Sequence, residues 1–295
     1  MSLATGVLML AIMASMTCAL PGTFLVLKRQ SMLVDGMSHA VLPGIVVGVI
    51  LSGSTHSFLM AVAAALMGML VVLGANWLKG TGLIAGDANQ GLIFPFLFAL
   101  GVLLLSTSLK NVHVCEDTVL TGDMNLNALP TEHLIYGNLT FGPEAFWHLV
   151  MVWVVNAVFI ALTYQVLKLG IFDPALARTL GFPVKLVDWL LMFLVSLTVV
   201  VAFDTAGAIL VVALVIVPPA TAYLWARTLP QMLIGGQVVA VISAVLGFEI
   251  AYFLDLPTSA MMAVMDGVFF LGALGLKELV QYFRRGRALR SLTAV

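Results

Sequence analysis

Asp35 and His39 stand four residues apart in the stretch from Leu27 to Ile45, LKRQSMLVDGMSHAVLPGI. On a helix that spacing puts both side chains on one face, about one turn apart. A carboxylate oxygen and an imidazole nitrogen so placed can share a divalent cation. From Gly36 to Leu78 there is no Asp, Glu, Lys or Arg. An acid and a histidine at the edge of so apolar a run need a reason to be there. Spacing alone leaves open a second reading, in which Asp35 caps a helix and His39 is a satisfied core histidine.

Two more acids, Glu249 and Asp266, fall inside apolar runs on either side of the turn Asp255-Leu256-Pro257. At ~1.5 Å per helical residue, both lie about 9–15 Å from that turn. Intramembrane acids usually face a bundle interior or water. The pair therefore reads either as part of a candidate pathway or as protonated, hydrogen-bonded side chains. A third informative stretch is FDPALARTLG, Phe172 to Gly181. Asp173 is placed to cap a short helix, Pro174 to take its first position, Ala177 and Arg178 to form its body and Gly181 to end it.

The elements that must hold these residues are apolar. Of 295 residues, 62% are hydrophobic and 9% charged, against about 25% charged in a soluble domain. The chain reads as an all-α integral membrane protein, a polytopic helical bundle. A span needs about 20 apolar residues. Candidates fall at about 4–27, 37–53, 57–78, 88–108, 145–167, 186–203, 206–226, 231–253 and 259–277. Only Asp204-Thr205 separates two of them, so eight or nine spans are expected. Within 206–226, Pro218-Pro219 removes two amide donors and predicts a kinked or unwound segment.

With the C-terminus placed in the cytoplasm, Lys28, Arg29, Lys79, Lys168, Arg178, Lys185, Arg227, Lys277 and the tail cations Arg284, Arg285, Arg287 and Arg290 all fall inside. Only Lys110 falls outside, in keeping with the positive-inside rule. The N-terminus is then outside if nine runs cross. The outer loop, about 109–143, carries His113, Cys115, Glu116, Asp117, Asp123, Glu132 and His133. It reads as a solvated, mildly acidic loop, or as a vestibule that attracts cations by its field. Net charge near zero gives no basic excess for nucleic acid. Cys18 and Cys115 lie in different settings and do not predict a disulfide. Met261, Met262 and Met265 read as packing residues.

Lys28-Arg29, Met32, Asp35-Gly36 and Ser38-His39-Ala40-Val41-Leu42-Pro43-Gly44 together resemble the first-loop signature of the family-3 permeases of ATP-binding-cassette importers. Members of that family take up manganese, zinc or iron. The resemblance runs from about Thr5 to Leu276, and is strongest at 25–48, 172–181 and 203–226. It implies a type II ABC importer-like fold and a single transmembrane permease domain over 1–295, with a basic tail at 277–295. It implies that Asp173, Pro174, Ala177, Arg178 and Gly181 belong to a cytoplasmic coupling helix that docks on ATPase subunits. It also implies an extracytoplasmic metal-binding protein, and a second permease that is either identical or paralogous. Segments of the outer loop, Asn111-Val112-His113, Gly122-Asp123-Met124-Asn125 and Tyr136-Gly137-Asn138, resemble the longer loop of manganese-type systems with two different permeases.

The expected function is that of a cell-membrane permease subunit importing a divalent transition metal, with no permanently bound cofactor. Manganese is chosen because Ser38 to Gly44 look more like manganese and iron members than zinc members. One Asp and one His suit manganese or zinc equally. No GxxxxGK[ST] is present, so the chain has no P-loop of its own. An intramembrane metalloenzyme would need more, such as HExxH or a third ligand with an activated water, and HExxH is absent. An ion-coupled carrier using Asp35, Glu249 and Asp266 remains the other transport reading.

Overall fold

Hydrocarbon holds no water to take up a backbone N–H or C=O. Each apolar run must satisfy its own backbone, and a helix does so locally. The computed structural model describes residues 3–52, 58–82, 88–108, 124–129, 133–136 and 139–292, and it is built on that rule. The helices are α1 (Leu3–Leu27), α2 (Met32–Ser52), α3 (Phe58–Gly80), α4 (Ala88–Ser108), the single turn α5 (Met124–Asn127), α6 (Glu144–Phe172), α7 (Pro174–Thr179), α8 (Val184–Ala206), α9 (Ala208–Tyr223), α10 (Leu229–Leu254) and α11 (Thr258–Leu292). One hairpin departs from the all-helical pattern. It pairs β1 (His133–Tyr136) antiparallel with β2 (Leu139–Pro143), just before α6.

Among the described residues, six helices are long and apolar enough to cross a membrane: α1, α2, α6, α8, α10 and α11. Val62–Leu78 in α3, Gly91–Leu104 in α4 and the whole of α9 are apolar but shorter. The eight or nine full spans expected from hydropathy are thus cut to six of full length among the described residues, with three shorter apolar helices beside them. Hydropathy counts apolar residues and not helix rise. The 16 residues of α9 reach only about 24 Å, against a hydrocarbon core of ~30 Å.

Two local expectations also change. The break expected at Asp204-Thr205 falls instead at Gly207, and α8 runs on through Ala206. Gly207 has φ 81° and ψ 161°, a region that essentially only glycine enters. The tandem prolines do not unwind their segment, because α9 is helical through Pro218 and Pro219 and both are buried. Pro219 removes the amide that would bond the Val215 carbonyl. That carbonyl lies against Gly22 of α1, where a Cβ would occupy its place.

The core is organised around α1, which packs on α6, α8, α9 and α10. The α2 helix packs chiefly on α3 and α4. Close approach there rests on small residues. Gly44 abuts the Ala64 backbone, and a Cβ on Gly101 would lie 2.8 Å from Pro43. A small cluster of Val41, Ala64, Ala65 and Val200 seats α2 and α3 on α8. Gly6 of α1 lies beside Ala128 and Pro143, and the Asn127 amide donates to the Asp204 carbonyl. At the opposite end of the same two helices, Lys28 contacts Asp188. The α1 and α8 helices therefore run antiparallel. Their N- and C-terminal ends respectively share one side with α5 and β2.

These close approaches set a test with an internal control. Gly22→Val should lower the stability of the detergent-solubilised protein by about 1–3 kcal/mol, the usual cost of overpacking. Gly267, by contrast, has nothing within 4 Å of an added Cβ. Gly267→Ala should leave the thermal midpoint unchanged or slightly raised, as helix propensity favours alanine. Thermal melts of the two variants beside the parent check both.

Candidate metal-binding pair and docking helix

Asp35 and His39 both lie in the first half of α2, and the helix brings them together as the spacing requires. His39 Nε2 is 3.6 Å from Asp35 Oδ1, with the side chains 35% and 43% exposed respectively. That separation is too long for a hydrogen bond. Neither side chain is sealed in the core. The histidine ring is held from α4. Phe94 stacks on it at 5.5 Å between centroids, and Phe98 meets it edge-on at 5.8 Å. Gly36 lies against Val71 of α3 and against Phe94, which lets α4 come close enough for that stack. Ser38 turns inward, and its hydroxyl donates to the Val34 carbonyl at 2.9 Å.

No group of three or more His, Cys, Asp or Glu side chains forms a ligand set among the described residues. Asp35 and His39 therefore stand as a pair, with no third such side chain beside them among the described residues. A backbone oxygen lies close to them in sequence. Pro43 has no N–H, so the His39 carbonyl lacks the amide that would ordinarily bond it. Glu144 and His148 in α6 repeat the four-residue spacing at 3.8 Å, but both are more than half exposed. Spacing by itself therefore does not mark a site. The bracket of Phe94 and Phe98 separates the first pair from the second.

Glu249 and Asp266 are not brought to this pair. They sit on α10 and α11, which pack chiefly on each other, α1 and α9. Glu249 is half-buried, whereas Asp266 is fully buried beside Ser243 of α10 and Cys18 of α1. Of the outer-loop candidates, His113, Cys115, Glu116, Asp117, Asp123 and Glu132 lie outside the described residues, as does Lys110, and His133 begins β1.

The second stretch forms α7 at the junction of α6 and α8. The Leu176 amide donates to Asp173 Oδ1 at 2.9 Å, and Pro174 takes the first helical position. At the other end, the Phe182 amide bonds the Ala177 carbonyl at 3.1 Å and the Gly181 amide bonds the Arg178 carbonyl at 3.0 Å. With Gly181 at φ 75°, this is the paired closure of a left-handed helix stop. Ala177 faces inward and is buried, while Arg178 is exposed. Phe172, Leu176 and Leu180 are exposed apolar residues at four-residue intervals along this segment.

Sequence reasoning missed one charged contact. Lys28, just past α1, meets Asp188 near the start of α8. Burial pulls the Lys28 ammonium down to about 8. No local spacing signals a pairing across 160 residues of sequence, so only the packing of α1 against α8 reveals it. The aromatic bracket had a partial signal, since Phe94 and Phe98 are themselves four apart. The sequence does not say which helix they face.

Long apolar helices, a partly open acid–histidine pair and a short capped helix at one end of the bundle define a multi-pass membrane protein. A model of the ABC 3 transport family matches residues 2–277. The chain belongs to that family. It is 40% identical over 271 residues to the manganese transport system membrane protein MntD of Bacillus subtilis, covering 92% of this chain and 89% of that protein. It is 39% identical over 264 residues to the zinc transport system membrane protein TroD of Treponema pallidum, covering 90% of this chain and 71% of that one. Among solved structures it is similar to PsaBC from Streptococcus pneumoniae in complex with Fab, with a TM-score of 0.75 and 26% identity over 92% of this chain and 91% of the other.

Phe94→Ala removes the ring stacked on His39. A ring–ring contact is worth ~0.5–1.5 kcal/mol, so any divalent-metal binding that uses His39 should weaken roughly two- to tenfold in the purified protein. Titration of the variant beside the parent reads the change.

Proposed function

We propose that this chain is the membrane permease subunit of an ATP-binding-cassette importer for a divalent transition metal, and that the metal is manganese. The observation that carries the reading is the open acid–histidine pair on α2, held by aromatic rings in an otherwise charge-free run. An oxygen and a nitrogen ligand, with water completing the shell, suit a borderline divalent ion. Two side-chain ligands hold such an ion weakly, as a transporter requires, because it must release what it binds. The remaining positions are supplied by water, backbone carbonyls or a second permease, in a homodimer or a paralogous heterodimer. The similarity to MntD supports manganese. Zinc is the second reading, favoured by the nearly equal similarity to TroD.

In this reading α7 is the cytoplasmic coupling helix. ATP hydrolysis belongs to separate ATPase subunits that dock on its exposed face. Phe172, Leu176 and Leu180 offer them apolar contacts and Arg178 a cation. The C-terminus lies in the cytoplasm, on the side of Lys28, Arg178 and Lys185, in keeping with the positive-inside rule. An extracytoplasmic binding protein delivers the ion on the side of α5 and β2.

Asp35→Ala and His39→Ala should each abolish manganese uptake while the protein still inserts. Metal accumulation in cells, normalised to inserted protein, is the measurement. Normal uptake per inserted molecule in both variants would remove the pair from the pathway. Accumulation of zinc in place of manganese in cells carrying the parent protein would select the second reading.

Arg178→Glu and Gly181→Trp should weaken docking without unfolding the bundle. Tryptophan cannot hold φ 75° without strain, so the second variant distorts the end of α7. Co-purification with the ATPase should fall in both. A complex recovered in full, together with uptake at the parent rate, would rule out α7 as the docking element.

A further inference from the structure

Lys28 and Asp188 join two segments that the proposed function assigns to different tasks. Asp188 lies near the start of α8, which follows α7 after the turn 180–183. Lys28 ends the path of α1, and only residues 29–31 separate it from α2, whose first turn holds Asp35. That link is a hydrogen-bonded elbow. The Arg29 amide bonds the Val26 carbonyl at 3.1 Å and the Gln30 amide bonds the Leu25 carbonyl at 3.0 Å. Beyond it, the Leu33 amide bonds the Gln30 carbonyl at 3.0 Å. Arg29 takes the left-handed conformation, φ 57°, that the bend requires. Leu25, Leu33, Val34, Met37, Val187 and Leu191 belong to one buried cluster, so the elbow and the start of α8 share a packed base.

We infer that the Lys28–Asp188 ion pair is the tie through which displacement of the docking helix reaches the Asp35–His39 turn. The inference rests on the proposed roles of α7 and of the acid–histidine pair. Lys28 is only 18% exposed, against 45% for Asp188, so desolvation falls mainly on the lysine. A charge placed there costs more than an apolar side chain of the same length would. Fixing register between moving parts is the best-attested reason to keep such a pair. A covalent route also runs from α7 into α8, and apolar packing joins α8 to α2 at Val41 and Val200, but neither is a charged link at the elbow itself. The ion pair carries a shift of α8 across to the elbow, and the elbow is too short and too well bonded to absorb it. Lys28 and Asp188 are thus positioning residues that act on the metal ligands through α2.

The test uses the assembled importer, with permeases, ATPase subunits and binding protein, in proteoliposomes supplied with manganese. The readout is manganese taken up per ATP hydrolysed. Lys28→Met should leave ATP turnover close to that of the parent and lower the ratio roughly tenfold, within the usual range of site-to-site coupling. The exchange Lys28→Asp with Asp188→Lys should restore most of the ratio. If Lys28→Met does not assemble, Asp188→Asn serves on the same readout, because it keeps an oxygen acceptor but removes the charge. Its ratio should fall by a smaller factor. A purely structural pair would lower uptake and hydrolysis together, leaving the ratio at the parent value. That result, or a reduced ratio that the exchange fails to recover, overturns the tie. Absence of ATP-dependent manganese uptake in the parent assembly would instead sink the function on which it rests.

Discussion

Polar atoms in hydrocarbon must be bonded by the protein, because no water is there to bond them. Much of this bundle follows from how that requirement is met. Backbone groups are closed within helices, which leaves polar side chains to tie one helix to another. The Thr17 hydroxyl of α1 donates to the Leu149 carbonyl of α6. The Ser196 hydroxyl of α8 donates to the Ala65 carbonyl of α3. Asn156 of α6 donates to Thr198 of α8 at 2.8 Å. Gln237 of α10 donates to the Met16 carbonyl of α1 and accepts from the Trp153 indole of α6. A side chain that loses its partner has no water to replace it, so the ties help fix which helices are neighbours.

Close approach of backbones supplies the rest. Apolar side chains gain little by leaving lipid for a protein interior, so contact between small residues carries the packing. Proline and glycine act together here. Pro219 leaves the Val215 carbonyl without an amide, and Gly22 of α1 makes room for it. Pro43 of α2 lies against Gly101 of α4, and Gly44 against Ala64 of α3. The first half of α2 is thereby held between α3 and α4. Asp35 and His39 consequently sit on a braced helix face and not on a loop. The ring stack of His39 on Phe94 needs that bracing, since a stack is lost with a shift of an ångström or two.

The two kinds of acid in the bundle are handled in opposite ways. Asp35 remains partly open and paired with a histidine at a distance that leaves room for an ion. Asp266 is shut away beside Ser243, in the packed contact of α10 and α11 where Gly247 meets Met262. Access distinguishes them. Under the proposed function a cargo ion must enter and leave, and only the first arrangement permits both.

The sequence alone settled much that depends on short range, though not the break at Gly207 or the helix through Pro218 and Pro219. Hydropathy determined that the chain is helical and membrane-embedded. The four-residue spacing put Asp35 and His39 on one face, and Asp173-Pro174 with Gly181 specified a capped turn of helix. Each of these rests on contacts within about one turn, where chain geometry leaves few alternatives. Tertiary structure decided the rest. Which apolar runs reach full membrane length depends on where helices stop, and Gly207 rather than Asp204-Thr205 ends α8. Phe94 and Phe98 became the walls of the site only when α4 docked on α2. Lys28 found Asp188 only because α1 and α8 run antiparallel, which brings residues distant in sequence to the same end of the bundle. Nearly uniform apolar surfaces carry no code for partner or register. Those are chosen by where small residues allow backbones to meet and where polar atoms can be paired.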